Sequence, residues 1–352
     1  MVNSNKDTIS VVIPIYLTAA YLFDCLDSVS MQTHQNLNII CVDDGTPDQA
    51  SEAALSRAVV DERVYVISKL NKGLSDSRNT GNALLTGDWV TYIDSDDWID
   101  SDMIAAMYEE ALRFNADSVM CSYVKEYNTR SIVEHVFPCS FSMMREQFRQ
   151  TIYRRFFGPL GEETRAPHQL DLLVTNCMQL FRREIINNIM FMDTKLIGTE
   201  DLLFQAMVYQ RCNSFSYIDR PLYHYRKTNQ RSLTTVYKRD LDKKWANMFV
   251  ELAKLIDQYQ LGCNFLSALQ NREALSVLTL SMNTESSSMS ISEKAHEILG
   301  ILNSTPYCFA LYSLDTSFMP LHWKTFYQAA KRKHKGICLL IVSIINQIRK
   351  FQ

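Results

Sequence analysis

The sequence predicts an α/β fold: a mainly parallel sheet flanked by helices, with a helical C-terminal extension. Three observations predict it. Apolar, β-branched runs alternate with helical spacings through the first 125 residues. Two of these runs end abruptly in clustered acids. Beyond about residue 236 strand signals stop and helical periodicity takes over. Strands separated by helices of about 10–15 residues form parallel sheets, and such sheets bind ligands at the carboxyl ends of their strands.

The elements follow in order. Residues 9–15 are a continuous apolar run, as a buried parallel strand requires. Leu22, Leu26 and Val29 follow helical spacing. Residues 37–42 form a second buried strand, which ends in Asp43, Asp44 and Gly45. A helix is predicted over 48–60, a short strand over 64–67, and a loop and helix over 71–84. Residues 89–93 form a fourth strand that ends in Asp94. A helix over 101–114 and a strand over 118–124 follow. The stretch 126–235 is less regular, with helices expected at 170–188 and 200–211 and a domain boundary near 235–240. The Ser-rich stretch 281–292 reads as an inter-helix loop.

Composition narrows the function classes. A chain of 352 residues suggests two domains. An apolar fraction of 47% and a charged fraction of 21% exclude disorder. A net charge of −3 argues against nucleic-acid binding through a broad basic face. The nine cysteines include no C-x-x-C pair, so a zinc ribbon or disulfide framework is not expected, and Cys41 and Cys121 read as small buried hydrophobes. Pro14 interrupts the first apolar stretch and no small-residue cleavage site follows, so the expectation is a chain without a secretory signal, working in a reducing cytosol. Near the other end the apolar run 337–345 is too short to span a bilayer. Basic residues at 331–335 and 349–350 bracket it. A helix of this kind can lie in a membrane interface or pack on the protein or a second subunit, and the bracketing charge favours the membrane.

Five groups of residues could carry chemistry. Asp94, Ser95, Asp96 and Asp97 follow a strand; acids at i and i+2 can share one hard cation such as Mg²⁺ or Mn²⁺, although a solvated turn looks the same in isolation. Asp43-Asp44-Gly45 can accept hydrogen bonds from an imide N–H or a ribose hydroxyl, and is also an ordinary turn. In the segment 71–81, Ser75 or Asp76 could cap a helix that brings Arg78 to the rim, where its planar fork suits a carboxylate, a phosphate or a base edge. Glu200-Asp201 stands at a helix start behind Thr199, either as dipole-favoured acids or as a general base. The segment 221–234 holds His224, Arg226, Lys227 and Arg231, which suit a metal and a diphosphate, or a solvated basic face.

Taken in order, V-V-I-P-I-Y, V-D-D-G-T-P-D, N-K-G-L-S-D-S-R-N-T-G, Y-I-D-S-D-D-W, E-D-L-L-F and Y-H-Y-R…S-L resemble the family 2 glycosyltransferases, inverting nucleotide-sugar enzymes of the GT-A fold. The first four motifs span residues 9–98; the resemblance weakens through 126–195, returns at 196–235, and ends near 240. The closest likeness is to bacterial enzymes of capsular and exopolysaccharide synthesis.

The resemblance implies a mixed sheet and a division into 1–238, the transferase domain, and 239–352, a helical accessory region. Within the first, 1–125 is the nucleotide half and 126–238 the acceptor half. It implies that Asp44, with Asp43 beside it, meets the uracil and ribose, that Pro14 and Tyr16 frame the nucleotide, and that Asn71 and Arg78 complete the uridine pocket. Asp96 becomes the metal ligand, with Asp94 and Ser95 beside it and His224 as a further ligand. Arg226 and Ser232 would contact the diphosphate, and Asp201, next to Glu200, would be the base. The implied cofactor is Mn²⁺ or Mg²⁺. The implied partners are a nucleotide-sugar donor, UDP-sugar favoured over dTDP-sugar, and a glycan or lipid-linked glycan acceptor. No nucleic acid is implied. The C-terminal region suits acceptor binding, dimerisation or docking at the inner face of the membrane. The rivals are a nucleotidyltransferase, whose Gly-rich basic signature the first strand lacks, and a non-catalytic scaffold that kept the fold.

Overall fold

A computed structural model describes residues 7–229 and 237–351, with the side chains of 349–351 left aside. Ten strands form one sheet: β1 (Ile9–Ile15), β2 (Leu37–Asp43), β3 (Val64–Ser68), β4 (Trp89–Tyr92), β5 (Trp98–Ile99), β6 (Ser118–Glu126), β7 (Ser131–Glu134), β8 (Phe141–Met144), β9 (Gln179–Arg182) and β10 (Ser214–Arg226). The order is β3-β2-β1-β4-β9-β6-β10-β5, with β7 on β6 and β8 on β10. β3, β2, β1 and β4 pair in parallel, as do β6 and β10, while β9 runs antiparallel between β4 and β6. Every residue of β1 and β2 is buried, which is why both read as unbroken apolar runs.

The first half of the chain follows the sequence closely. The helices Leu22–Ser30, Ala50–Val60, Leu74–Asn82 and Met103–Phe114 stand between the strands as expected. The expectation of a helix over 170–188 fails. That stretch holds β9, followed by the one-turn helix Arg183–Ile186. Leu180 and Phe181 are buried by strands on both sides, and so short an apolar run carries no period that separates strand from helix. β7, β8 and the long β10 also lie in the region that reads as irregular. In β10 the register shifts on either side of Pro221, which has no N–H to give the ladder.

The chain divides into two compact units. The first comprises the described residues of Met1–Gln150, Val174–Thr194 and Glu200–Arg231. The second comprises Thr151–Leu173, Lys195–Thr199 and the described residues of Ser232–Gln352. The linear boundary near 238 is thus not how the chain sorts: two earlier segments pack with the C-terminal helices. In the second unit the helix Cys263–Glu285 is buried along most of its length and packs against Leu241–Gln258, Ile291–Asn303, Tyr307–Ser313 and Lys335–Phe351. Phe265 meets the rings of Tyr153 and Phe157 at 5.4 and 5.1 Å. The Ser-rich loop is shorter than expected, because Ser290 caps Ile291–Asn303 in a capping box with Glu293.

Candidate active site

Parallel pairing brings the ends of β1, β2 and β4 to one rim of the first unit, so Pro14, Asp43 and Asp94 arrive side by side. Pro14 is buried inside β1, and Tyr16, just past it, is 45% exposed. The turn after β2 closes on the loop 69–73. Asp43 Oδ1 accepts from the Thr46 N–H at 2.9 Å. Asp44 accepts from the Lys72 and Gly73 N–H groups at 3.0 and 2.7 Å, and from Lys69 Nζ. Gly45, at φ +66°, makes this possible; a Cβ there would stand 3.0 Å from Lys69 O and Asn71 N. Asn71 itself is exposed.

The turn after β4 is organised around a buried cation. Arg78 is 1% exposed. Its Nη1 donates to Glu200 Oε1 at 2.6 Å and to Asp201 Oδ1 at 2.7 Å, and its Nη2 donates to Asp94 Oδ1 at 3.0 Å. Arg78 reaches these acids because its helix lies hard against β1: a Cβ on Gly81 would come within 2.4 Å of Val12 Cγ1. The N-cap of that helix is Gly73, not Ser75 or Asp76. Arg78, expected to complete a uridine pocket, clamps three carboxylates: Asp94 just after β4, and Glu200 and Asp201 at the start of the helix Asp201–Arg211.

Three acids around one guanidinium leave negative charge over. Burial is the largest influence on Asp201, Arg78 opposes it, and Glu200 and Asp94 reinforce it; the carboxyl is pushed up to about 7. Asn176 Nδ2 also donates to Asp201 Oδ1, at 2.6 Å. Among the described residues Asp201 Oδ2 takes no hydrogen bond, so one oxygen of a carboxyl poised near neutrality stays available to a proton donor.

The rest of the turn after β4 is tied to β10. Ser95 Oγ accepts from Thr18 at 3.0 Å. Asp96 Oδ2 accepts from Asn229 Nδ2 at 2.8 Å, and its main-chain oxygen accepts from Arg226 Nε at 2.7 Å. Buried Asp97 accepts from the Tyr223 hydroxyl at 2.6 Å and the Arg226 N–H at 2.8 Å. Burial raises both carboxyls, and the acids' mutual repulsion adds to it. Arg226 stacks over Trp98 and Tyr21 at 4.5 and 4.8 Å and pairs with Asp24 at 2.8 Å.

His224 does not join Asp94 and Asp96. Facing Trp98 across the β10–β5 ladder, its ring stacks on the indole at 5.0 Å, and its nitrogens meet Glu126 at 2.7 Å and Asp100 at 3.1 Å. Among the described residues no three His, Cys, Asp or Glu side chains converge as metal ligands. Ser232 lies outside the described residues. Asn176, Asn229 and Tyr223 hold the reactive acids, yet sequence reasoning assigns them no role. Asn176 stands beside Thr175 in a mainly apolar stretch; Asn229 and Tyr223 stand in the segment singled out for its basic groups.

Residues 10–190 match the family described as Glycosyl transferase family 2. The chain belongs to that family. It is a glycosyltransferase by family, which sets the nucleotidyltransferase rival aside. It is 28% identical over 257 residues to the uncharacterized glycosyltransferase EpsJ of Bacillus subtilis, covering 72% of this chain and 71% of that one. It is 28% identical over 247 residues to the glycosyltransferase GlyA of Streptococcus pneumoniae, covering 70% of this chain but only 33% of GlyA. Among solved structures, S. aureus TarS 1-349 in complex with UDP-GlcNAc superposes with a TM-score of 0.67 over 97% of this chain and 92% of that one, at 16% identity. The shared architecture is the GT-A fold.

Proposed function

We propose that the protein transfers a sugar from a nucleotide-sugar, a UDP-sugar by preference, to a hydroxyl of a glycan or lipid-linked glycan in bacterial surface polysaccharide synthesis, with inversion at the anomeric carbon. The observation that carries this reading is the buried Arg78 cluster, which holds Asp201 at the rim with its carboxyl near 7 and one oxygen unbonded. The likeness in fold to TarS, solved with UDP-GlcNAc, supports the choice of donor.

The chain's own residues have distinct tasks. Pro14, Tyr16, Asp43, Asp44 and Asn71 frame the nucleoside. Asp201 takes the proton of the acceptor hydroxyl as its oxygen attacks the anomeric carbon from the face opposite the diphosphate, so an α-linked donor gives a β-linked product. Arg78 and Asn176 fix Asp201 in place, and Glu200 helps keep its carboxyl basic. Arg226 supports the acid turn from beneath and offers positive charge toward the diphosphate, with Ser232 expected beside it.

A divalent cation fits the acids at the end of β4. Asp94 and Asp96 repel each other enough to help raise the Asp96 carboxyl, and a cation would relieve that repulsion. Two carboxylates suffice for Mn²⁺ or Mg²⁺, which complete their shells with water and substrate phosphates. Bound there, the ion supplies charge neutralisation for the leaving diphosphate.

Two experiments test the reading. Calorimetric titration with UDP, dTDP, GDP and CMP, each with Mn²⁺ and with EDTA, is expected to show metal-dependent preference for UDP that Asp96→Ala removes. Equal binding of all four nucleotides would sink the donor assignment. With the productive donor in hand, Asp201→Asn is expected to lower turnover about 10²- to 10⁴-fold while UDP still binds. Normal turnover in that variant would reassign the base.

A further inference from the structure

We propose that the helix Lys335–Phe351, with the basic turn before it, docks the protein on an anionic lipid surface. The helix has two apolar faces with different fates. Cys338, Leu339 and Val342 are buried against the helices Cys263–Glu285, Ile291–Asn303 and Leu321–Lys331. Ser343 and Asn346 on the same side donate to Glu285, which fixes the helix in rotation. Ile337, Leu340, Ile344 and Ile348 point away and are 45–60% exposed. Their spacing of three, four and four residues makes one continuous stripe along the helix. A stripe of large aliphatic side chains is costly to leave in water.

Charge decides the occupant. After Asp315 the sequence has no acid at all but seven Lys and Arg, in a chain whose net charge is −3. Arg332, Lys333 and His334 are exposed just before the stripe begins, and Arg349 and Lys350 follow its end in the sequence. A two-fold pair of such helices would set basic ends against basic ends in either orientation. An anionic headgroup layer meets the same ends with opposite charge, and the stripe reaches the acyl boundary between them. Among the described residues no helix is long and apolar enough to cross a membrane, so this one lies on the surface.

The test is sedimentation of the full chain with vesicles of phosphatidylcholine and phosphatidylglycerol, and with vesicles of phosphatidylcholine alone. Binding is expected to the anionic vesicles, weakening as salt rises. Leu340→Ser with Ile344→Ser, and separately Arg332→Glu with Lys333→Glu, are each expected to weaken it about tenfold or more. All four side chains are exposed, so the variants should keep the parent melting temperature and UDP affinity, and a loss of binding then reads docking rather than unfolding. No binding to anionic vesicles overturns the proposal. So does a dimer, seen by analytical ultracentrifugation, that the serine variant dissolves while vesicle binding is unchanged. Neither measurement reads sugar transfer, so the outcome stands apart from the proposed reaction.

Discussion

The two acid turns on the rim look alike in sequence and are built on opposite plans. The turn after β2 has its charge compensated by the loop 69–73 on which it closes: Asp44 takes two backbone N–H groups and Lys69 from that loop, and Asp43 takes the N–H of Thr46. The turn after β4 is left short of positive charge. Asp94 shares Arg78 with Glu200 and Asp201, and burial raises Asp96, Asp97 and Asp201 together. A carboxylate that is fully compensated holds a loop. One that is under-compensated stores affinity for a proton or a cation. The contrast supports the proposed division of tasks, with anchoring in the first turn and chemistry in the second.

Removing Arg78 breaks the contrast most severely. Arg78→Met keeps most of the volume but leaves three carboxylates without their shared cation, and breaking a buried ion cluster costs about 3–5 kcal/mol. The variant is expected to unfold at much lower urea concentration at pH 8 and to recover part of the loss at pH 5, where Asp201 takes up a proton. A loss that does not depend on pH would mean that packing, rather than charge, is what Arg78 supplies.

The pH dependence of Asp201 follows with its sign. An unfolded Asp titrates near 4, whereas this carboxyl is held near 7. The folded state therefore keeps a proton that the unfolded chain has lost. Asp201's contribution to stability is full below about pH 4 and disappears as pH rises through 7, at up to about 1.4 kcal/mol per pH unit. Activity should move the other way, because Asp201 as the proposed base must be ionised, so kcat/KM is expected to rise through about pH 7 and level off above it. Asp201→Asn should remove both trends, read as the difference between parent and variant in melting temperature across pH 5–8. A parent profile flat across that range would contradict the raised carboxyl.

Gly81→Ala tests how Arg78 is seated. The added methyl meets Val12 on a fully buried strand, and forcing it in costs about 1–3 kcal/mol. The helix carrying Arg78 must lift, so turnover is expected to fall while UDP affinity changes little. Full activity in a destabilised variant would separate seating from catalysis.

How much of this was legible in the sequence differs between the two turns. Both acid clusters, the strands that carry them and the helix around Arg78 were readable, because buried parallel strands write themselves as apolar runs that stop where the chain emerges. The partners were not. Arg78 meets Glu200 and Asp201 across 122 and 123 residues of sequence, and Asn229 reaches Asp96 across 133. No local pattern encodes such pairings; they exist only once β9 and β10 are in place. β9 itself, four residues long, is too short to declare its period. The surroundings of His224 were hidden for a related reason: the ladder with β5 sets Trp98 against its ring, and the pairing with β6 brings Glu126 to one of its nitrogens.

The smallest effect belongs to the turn after β2. Asp44→Asn keeps one carbonyl oxygen for the Lys72 and Gly73 N–H groups but gives up the second oxygen and the charge that Lys69 pairs with. One lost hydrogen bond of this kind is worth about 1 kcal/mol. Because Lys69 also bonds Asp76 at 2.8 Å, the lysine keeps a partner and the loss stays local to the loop 69–73. The expected result is a small drop in stability, about the size of that one bond, together with weaker UDP binding, since Asn71 and the proposed frame of the nucleoside hang on that loop. Calorimetry with UDP in the presence of Mn²⁺ checks it. A stability loss as large as that expected for Arg78→Met would show that the two turns are not compensated differently after all.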